Sequence, residues 1–348
     1  MNVKTWILAV TLGGLLTLGG CSGGQKPAEN EGTTGSTAAS GGKGGPGPVE
    51  GDFKVALLTP SPVSDAGWSA MAYDGLKAIE TDLNATINTQ EARDTQIKDA
   101  MRSYANQGYQ LIIGHGFEYN APGVELAKDF PKTVFVSSSG DGTAPNAGAF
   151  RFYLEQGCYL AGMMAGLMTK SGVVAMIGGP KVPSIASTFK AFKAGAESVK
   201  PGIRVIETYT GQNADIAAAK RATEAAIAEG ADFIIHQTNA AAQGVFDAAK
   251  AKGVWAFGTN ADQNSNPTGV VIASAVIVAK PAFLDLAKQV KGGTYQGGVV
   301  LKGMQEGAID FVLNPNLSDK VPADVIAKVE EMRGKIKSGE FTVPKDEF

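Results

Sequence analysis

The residues with chemistry to offer gather at the C-terminal ends of short β-type runs. After Phe53–Leu58 (FKVALL) come Asp65, a hydrogen-bond acceptor, and Trp68, an aromatic face. Later run ends supply His115-Gly116-Phe117, then Ser138-Ser139-Gly140-Asp141, then Gln237-Thr238-Asn239, then Gly258-Thr259-Asn260-Ala261-Asp262-Gln263. Carboxylates accept from hydroxyls, carboxamides accept and donate, and aromatic faces cover flat rings. The set suits a neutral ligand with several hydroxyls and a flat ring, held in a concave site. Several members have structural readings too. Asp65 and Ser64 are capping types ahead of a helix starting near Ala66, and Asp141 beside glycine suits a turn. His115 and His236 suit hydrogen-bonded structural histidines, and Phe189 and Phe192, three apart on an expected helix, suit a core.

Catalytic chemistry finds no comparable set. The chain has no G-x-S-x-G elbow, no H-E-x-x-H and no histidine paired with a cysteine near a glycine-flanked nucleophile, which favours binding over turnover. Gly178-Gly179-Pro180 lacks the lysine and hydroxyl pattern of a phosphate loop. Cys158, in a stretch of small residues, reads as a buried thiol. With only 2 histidines and 2 cysteines, the chain cannot build a closed Cys/His zinc site alongside a histidine-based centre. No catalytic residue, metal ligand or cofactor is therefore expected. The formal charge of −3 over 348 residues, without a basic cluster, argues against a nucleic-acid partner.

The elements that must position these run ends alternate. From Phe53 onward, β-type runs at Gln110–Gly114, Thr133–Val136, Val173–Ile177, Arg204–Thr208, Asp232–His236 and Trp255–Gly258 are separated by helical stretches such as Thr95–Gln107 and Ile216–Glu229. Alternation of this kind predicts an α/β fold with parallel strands and helices on both faces. The halves repeat. A helix, a glycine stop and an apolar run follow both Asp94 and Asp215, and Gly108 and Gly230 stand at the same separation as Phe135 and Phe257. A duplicated unit predicts two similar lobes, with ligand held beyond the carboxyl ends of the strands in the cleft between them. Gly269–Ala275, a helix over Pro281–Val290, Val299–Leu301 and Ile309–Leu313 remain to make a chain that returns to the first lobe and crosses again.

The N-terminus carries an address. Residues 1–20 hold one lysine and then an uncharged apolar run too short for a comfortable membrane span, the pattern of a secretory signal. The run ends in Leu18-Gly19-Gly20-Cys21, which resembles a bacterial lipobox, with Cys21 as the lipidation site. Residues 21–51 are rich in Gly, Ser, Thr and Pro and are expected to form a disordered tether. These features predict an extracytoplasmic protein anchored to the membrane by lipid.

Taken together, these residues resemble the basic membrane protein family of ABC-transporter substrate-binding lipoproteins, which includes bacterial purine-nucleoside receptors. The similarity runs from about Lys54 to at least Leu313. It rests on Val55-Ala-Leu-Leu with Asp65-Ala-Gly-Trp68 and Gly75, on Gly116-Phe117 with Phe130-Pro131 and Phe135, and on Tyr153 with Gln156-Gly157-Cys-Tyr-Leu-Ala-Gly162. It continues through Gly178-Gly179, Phe192 and Gly195, Gly258-Thr-Asn-Ala-Asp262-Gln263, and Lys280 after the Ser274 strand. The resemblance implies a type I periplasmic-binding-protein fold: two Rossmann-like lobes with parallel sheets, joined by a multi-strand hinge, closing on a small molecule.

Ligand roles follow only from that resemblance. It implies aromatics sandwiching a base, with Trp68 and Phe117 near it, Asp141 and Asp262 as acceptors, and Lys280 on the sugar side. Asp65, Asn239 and Asn260 complete the candidate set. The chain departs from the family where Asn260 replaces an aspartate and Thr188 a phenylalanine, and a neutral amide makes a weaker bond to a hydroxyl than a carboxylate does. The expected lobes are residues 52–157 with about 269–295, and residues 158–268 with about 296–348. The implied partners are a nucleoside-like small molecule and an ABC permease. A sensory binding lipoprotein and a secreted enzyme acting on nucleosides or sugars are the competing readings.

Overall fold

The computed structural model describes residues 45–65 and 67–347. The expected signal peptide, the lipidation site Cys21 and most of the expected tether lie outside those residues. The tether's described end is not free: the Val49 amide donates to the Lys291 carbonyl at 3.0 Å.

Two six-stranded sheets organise the chain. The first is built by β1 (Lys54–Thr59), β2 (Thr86–Glu91), β3 (Leu111–Gly114), β4 (Val134–Ser137) and β5 (Ala147–Phe152), with α1 (Trp68–Leu83), α2 (Gln96–Asn106) and α3 (Asn120–Ala127) between them. The second is built by β6 (Val173–Gly178), β7 (Arg204–Tyr209), β8 (Phe233–Gln237), β9 (Trp255–Asn260) and β10 (Val271–Ile277). Helices α4 (Glu155–Met168), α5 (Pro183–Val199), α6 (Ile216–Ala228) and α7 (Ala242–Lys252) accompany it. After α8 (Ala279–Lys291), β11 (Val299–Lys302) joins the first sheet and β12 (Ile309–Leu313) the second, and α9 (Ala323–Ser338) ends the helical part.

The strand orders are β11-β5-β4-β3-β1-β2 and β12-β10-β9-β8-β6-β7. All pairings are parallel except β10 with β12. The molecule is thus α/β, a doubled unit with one order in both halves. Central strands β3, β4 and β8 are buried at every residue, as parallel strands covered on both faces must be. That is why their sequences read as continuous apolar runs.

Three segments pass between the sheets, at Tyr153–Leu154, at Val278 and at 303–308, and they are bonded to one another or to their neighbours. The Tyr153 amide donates to Lys302 O at 2.9 Å, and the Val278 amide to Ala308 O at 2.8 Å. Met304 donates to Gln156 Oε1 at 2.7 Å. Strand β10 corrects one expected boundary: residues 269–295 do not all belong to the first lobe. Its apolar run is flanked by β9 on one side and β12 on the other, so the chain leaves the second sheet only after Ile277. Likewise β11 pairs with β5 in the first sheet, not within the second lobe.

The second lobe closes around α4 and α5. A Cβ on Gly162 would sit 1.9 Å from Phe192 O, and one on Gly195 would sit 2.0 Å from Tyr159 O. Only glycine lets the two backbones approach this closely.

Candidate functional site

The C-terminal ends of both sheets face a cavity of about 720 Å³. Each wall follows from its local sequence. On the first-lobe side, the loop after β1 is folded around Asp65. Its carboxylate accepts from Ser61 Oγ at 2.7 Å and from the amides of Gly67, Ser69 and Ala70 at 3.0, 3.1 and 3.0 Å. Burial alone would raise its pKa, but these four hydrogen bonds outweigh burial and hold it below the usual carboxylate value. Asp65 lines the cavity, yet both its oxygens are occupied in ordering the turn into α1.

That turn places Trp68. Its ring stacks on His115 at 3.9 Å between centroids, and its Nε1–H donates to His115 O at 3.0 Å. His115 in turn bonds the Trp68 carbonyl through Nε2 at 2.9 Å, so Nε2 carries the proton. Burial pushes the His115 pKa down to about 3 and keeps the ring neutral. His236 is similar. Its Nε2 donates to Gln263 Oε1 at 2.9 Å, and burial lowers its pKa to about 4. Phe117, 40% exposed, stands on the same wall as Trp68.

The opposite wall is different in kind. From the second lobe come Asn213, Gln237, Asn239 and Asn260, with Thr188 and Gln212 beside them and no aromatic side chain; Glu155, at the start of α4 next to the crossing segment, is the charged group its helices bring to the cavity. Asn260 Nδ2 reaches Gln237 Oε1 and Asn239 Oδ1, both at 3.3 Å, and Gln237 Nε2 reaches Thr188 Oγ1 at 3.4 Å. These are long bonds, ready to be exchanged for shorter ones. The backbone is shaped to aim them. Among the described residues, the non-glycine positions with positive φ are Asn84, Asp94, Asn239 and Asn260, and the last three line the cavity. Left-handed backbone outside glycine is unfavourable and collects where function needs a particular aim.

Charged groups line the first lobe and the crossing segments. Arg93 pairs with Glu91 at 2.7 Å beside Asp94. Glu118 is raised above its ordinary pKa, first by desolvation within the cleft walls and then by the charge of Asp94. At the hinge, Arg151 and Glu155 form a buried ion pair, with Ser187 Oγ donating to Glu155 Oε1 at 2.5 Å. Desolvation raises the Glu155 pKa against the opposing pull of Arg151. The C-terminal segment lies against this pair: Arg151 Nη1 donates to Asp346 O at 2.6 Å, the Asp346 amide donates to Ser187 Oγ at 2.9 Å, and Tyr153 Oη donates to Val343 O.

Of the residues singled out from sequence, Asp65, Trp68, Phe117, Asn239 and Asn260 line one cavity. Asp141, Asp262 and Lys280 do not. Asp141 is exposed on a loop held by Asn120, whose Oδ1 accepts from the Gly142 amide at 2.8 Å. Asp262 turns back to accept from the Asn264 amide at 3.0 Å. Lys280 lies on α8 facing Asp82 at 3.8 Å, and Ile277, at the end of β10, lines the cavity instead. The aromatic sandwich implied by the family resemblance has one side here, because Trp68 and Phe117 both stand on the first-lobe wall. Asp94, Arg151, Glu155 and Asn213 also line the cavity and were not among the candidates from sequence. Asn213 had a signal, since it follows a recognised strand end at Thr208.

Among the described residues, no group of three or more His, Cys, Asp or Glu side chains could hold a metal ion. Comparison with known proteins agrees with the fold. A purine-binding protein of Brucella abortus is 30% identical over 308 residues, 86% of this chain and 86% of that protein. An ABC transporter nucleoside-binding protein of Lactococcus lactis is 28% identical, covering 83% of this chain and 90% of its own length. The solved structure of an ABC transporter solute-binding protein from Conexibacter woesei superposes with a TM-score of 0.69 at 25% identity, covering 84% of this chain and 99% of that one. Residues 53–347 match the Bmp family, described as ABC transporter substrate-binding protein PnrA-like, and the chain belongs to that family of solute-binding proteins with a type I periplasmic-binding fold.

Proposed function

We propose that the chain is the extracytoplasmic receptor of an ABC importer, tethered through a lipid on Cys21, and that it closes over a purine nucleoside without transforming it. The observation that carries this reading is the asymmetry of the cavity. An aromatic wall from Trp68 and Phe117 faces a neutral carboxamide wall from Asn213, Gln237, Asn239 and Asn260. A flat heteroaromatic ring is covered by the first and an array of hydroxyls is matched by the second. The arginines that line the cavity, Arg93 and Arg151, are each paired with a carboxylate, so the cavity suits an uncharged nucleoside better than a phosphate.

The volume fits a ligand of that size. The three crossing segments supply a hinge, and closure follows when the ligand binds the closed arrangement more tightly than the open one. Purine and nucleoside binding by the Brucella and Lactococcus relatives supports the ligand class.

The test begins with the full chain purified from membranes. Denaturing it and identifying released small molecules by mass spectrometry should yield a nucleoside, and calorimetric titration of the stripped protein should show saturable binding of inosine, guanosine or adenosine with no product formed. Binding of sugars or amino acids with no nucleoside binding would sink the ligand assignment, and steady conversion of substrate would sink the transport role.

A further inference from the structure

We infer that Asn213 is a specificity-determining residue, its side-chain carbonyl accepting a hydrogen bond from a sugar hydroxyl of the bound nucleoside; this rests on the ligand class proposed above. Asn213 follows β7 and forms part of the second-lobe wall. Its Oδ1 is covered by protein and has no hydrogen-bond partner among the described residues. Gln237 and Asn239 already accept from Asn260, and Gln237 donates to Thr188, whereas Asn213 is the carboxamide of that wall whose oxygen is covered by protein and still without a partner among the described residues. Buried polar atoms without partners are uncommon enough to need a reason. Here a hydroxyl of a ligand in the cavity that Asn213 lines supplies the missing donor.

The chain holds Asn213 in place with a glycine. A Cβ on Gly179 would lie 2.1 Å from Asn213 Oδ1, so any larger residue there pushes the carboxamide aside. Across the cleft, buried Ser138 also lines the cavity and leaves its Oγ without a partner among the described residues. A ligand meeting both atoms links the two lobes, which is what closure requires. The aromatic ring belongs against Trp68 and Phe117, because no aromatic side chain lines the second-lobe wall. The hydroxyls therefore turn toward Asn213.

The experiment titrates inosine and hypoxanthine, calorimetrically, into the stripped full chain and its Asn213→Leu, Asn213→Asp and Gly179→Ala variants. Asn213→Leu removes the acceptor at similar volume and should weaken inosine about 10-fold or more, the usual consequence of leaving a hydroxyl unpaired in a closed site. Hypoxanthine, which lacks the sugar, should bind both forms alike. Asn213→Asp keeps an acceptor and should bind inosine within about threefold of the unaltered protein, by the same hydrogen-bond scale. Gly179→Ala should reproduce the Asn213→Leu pattern with Asn213 intact. Equal loss for inosine and hypoxanthine, no loss for inosine, or an Asn213→Asp variant as weak as Asn213→Leu would each overturn the assignment. If the unaltered protein binds neither compound, the proposed ligand class falls and this inference falls with it. Unaltered protein that binds both, with its preference unchanged in Asn213→Leu, overturns this inference alone.

Discussion

Acidification from pH 7 to pH 5 should destabilise the folded chain through its two histidines. His115 and His236 are fully buried and neutral, with folded pKa values of about 3 and about 4. In the unfolded chain a histidine titrates near 6.5. Between these values the unfolded state binds protons that the folded state refuses, so stability is fully present above about pH 6.5 and falls as the pH drops toward the folded values. Each histidine contributes a slope of about 1.4 kcal/mol per pH unit below 6.5, or about 2 kcal/mol between pH 7 and 5, and the pair about 4 kcal/mol. Glu155 acts with the opposite sign, because its raised folded pKa makes the folded state take up its proton first, and it reduces the slope at the lower end. Against a typical stability of about 5–15 kcal/mol, the loss is large. Urea denaturation followed by tryptophan fluorescence at pH 7, 6 and 5 measures it as a fall in midpoint at constant slope m. Substituting His236 by glutamine removes one titrating ring and should roughly halve the pH dependence. A midpoint that stays level or rises toward pH 5, or a His236→Gln protein with an undiminished dependence, would refute the reasoning.

Glu155→Leu breaks the buried ion pair with Arg151 and should cost about 3–5 kcal/mol in denaturant titrations, whereas Arg151→Met with Glu155→Leu should recover part of that loss, because a buried pair replaced whole is far less harmful than one broken. Gly162→Ala drives a methyl into Phe192 O between α4 and α5 and should lower stability by at least about 1–3 kcal/mol, read as a drop in melting temperature. Phe117→Ala should weaken nucleoside binding about 10-fold with little change in melting temperature, while Lys280→Ala, on α8 and outside the cavity lining, should leave affinity unchanged. Loss of affinity in Lys280→Ala with none in Phe117→Ala would move the site away from the cavity.

The legible and the hidden parts of the sequence divide along physical lines. Central strands such as β3 and β8 are covered on both faces, so their apolar runs announced them, and with them the residues at their ends, Phe117 and Asn239. Strand β2 is an edge strand with a mostly exposed polar sequence, TINTQE, and β5 opens with Ala-Gly and carries a charged Arg151, so neither has an apolar run to betray it. With those strands unseen, the residues at their ends stayed hidden too: Asp94 beyond β2, and Arg151 with Glu155 around the end of β5. A second kind of ambiguity is chemical. An aspartate ahead of a helix reads alike whether it awaits a ligand or is saturated by four donors, as Asp65 is, and only the folded loop shows which. The third is geometric. Lys280 and Ile277 are three residues apart where β10 gives way to α8, and the change from strand to helix sends one toward Asp82 and the other into the cavity wall. The family resemblance favoured the lysine. Register at the crossing put the isoleucine in the cavity wall, and in the proposed function the hydroxyls are left to the carboxamides opposite the aromatic wall.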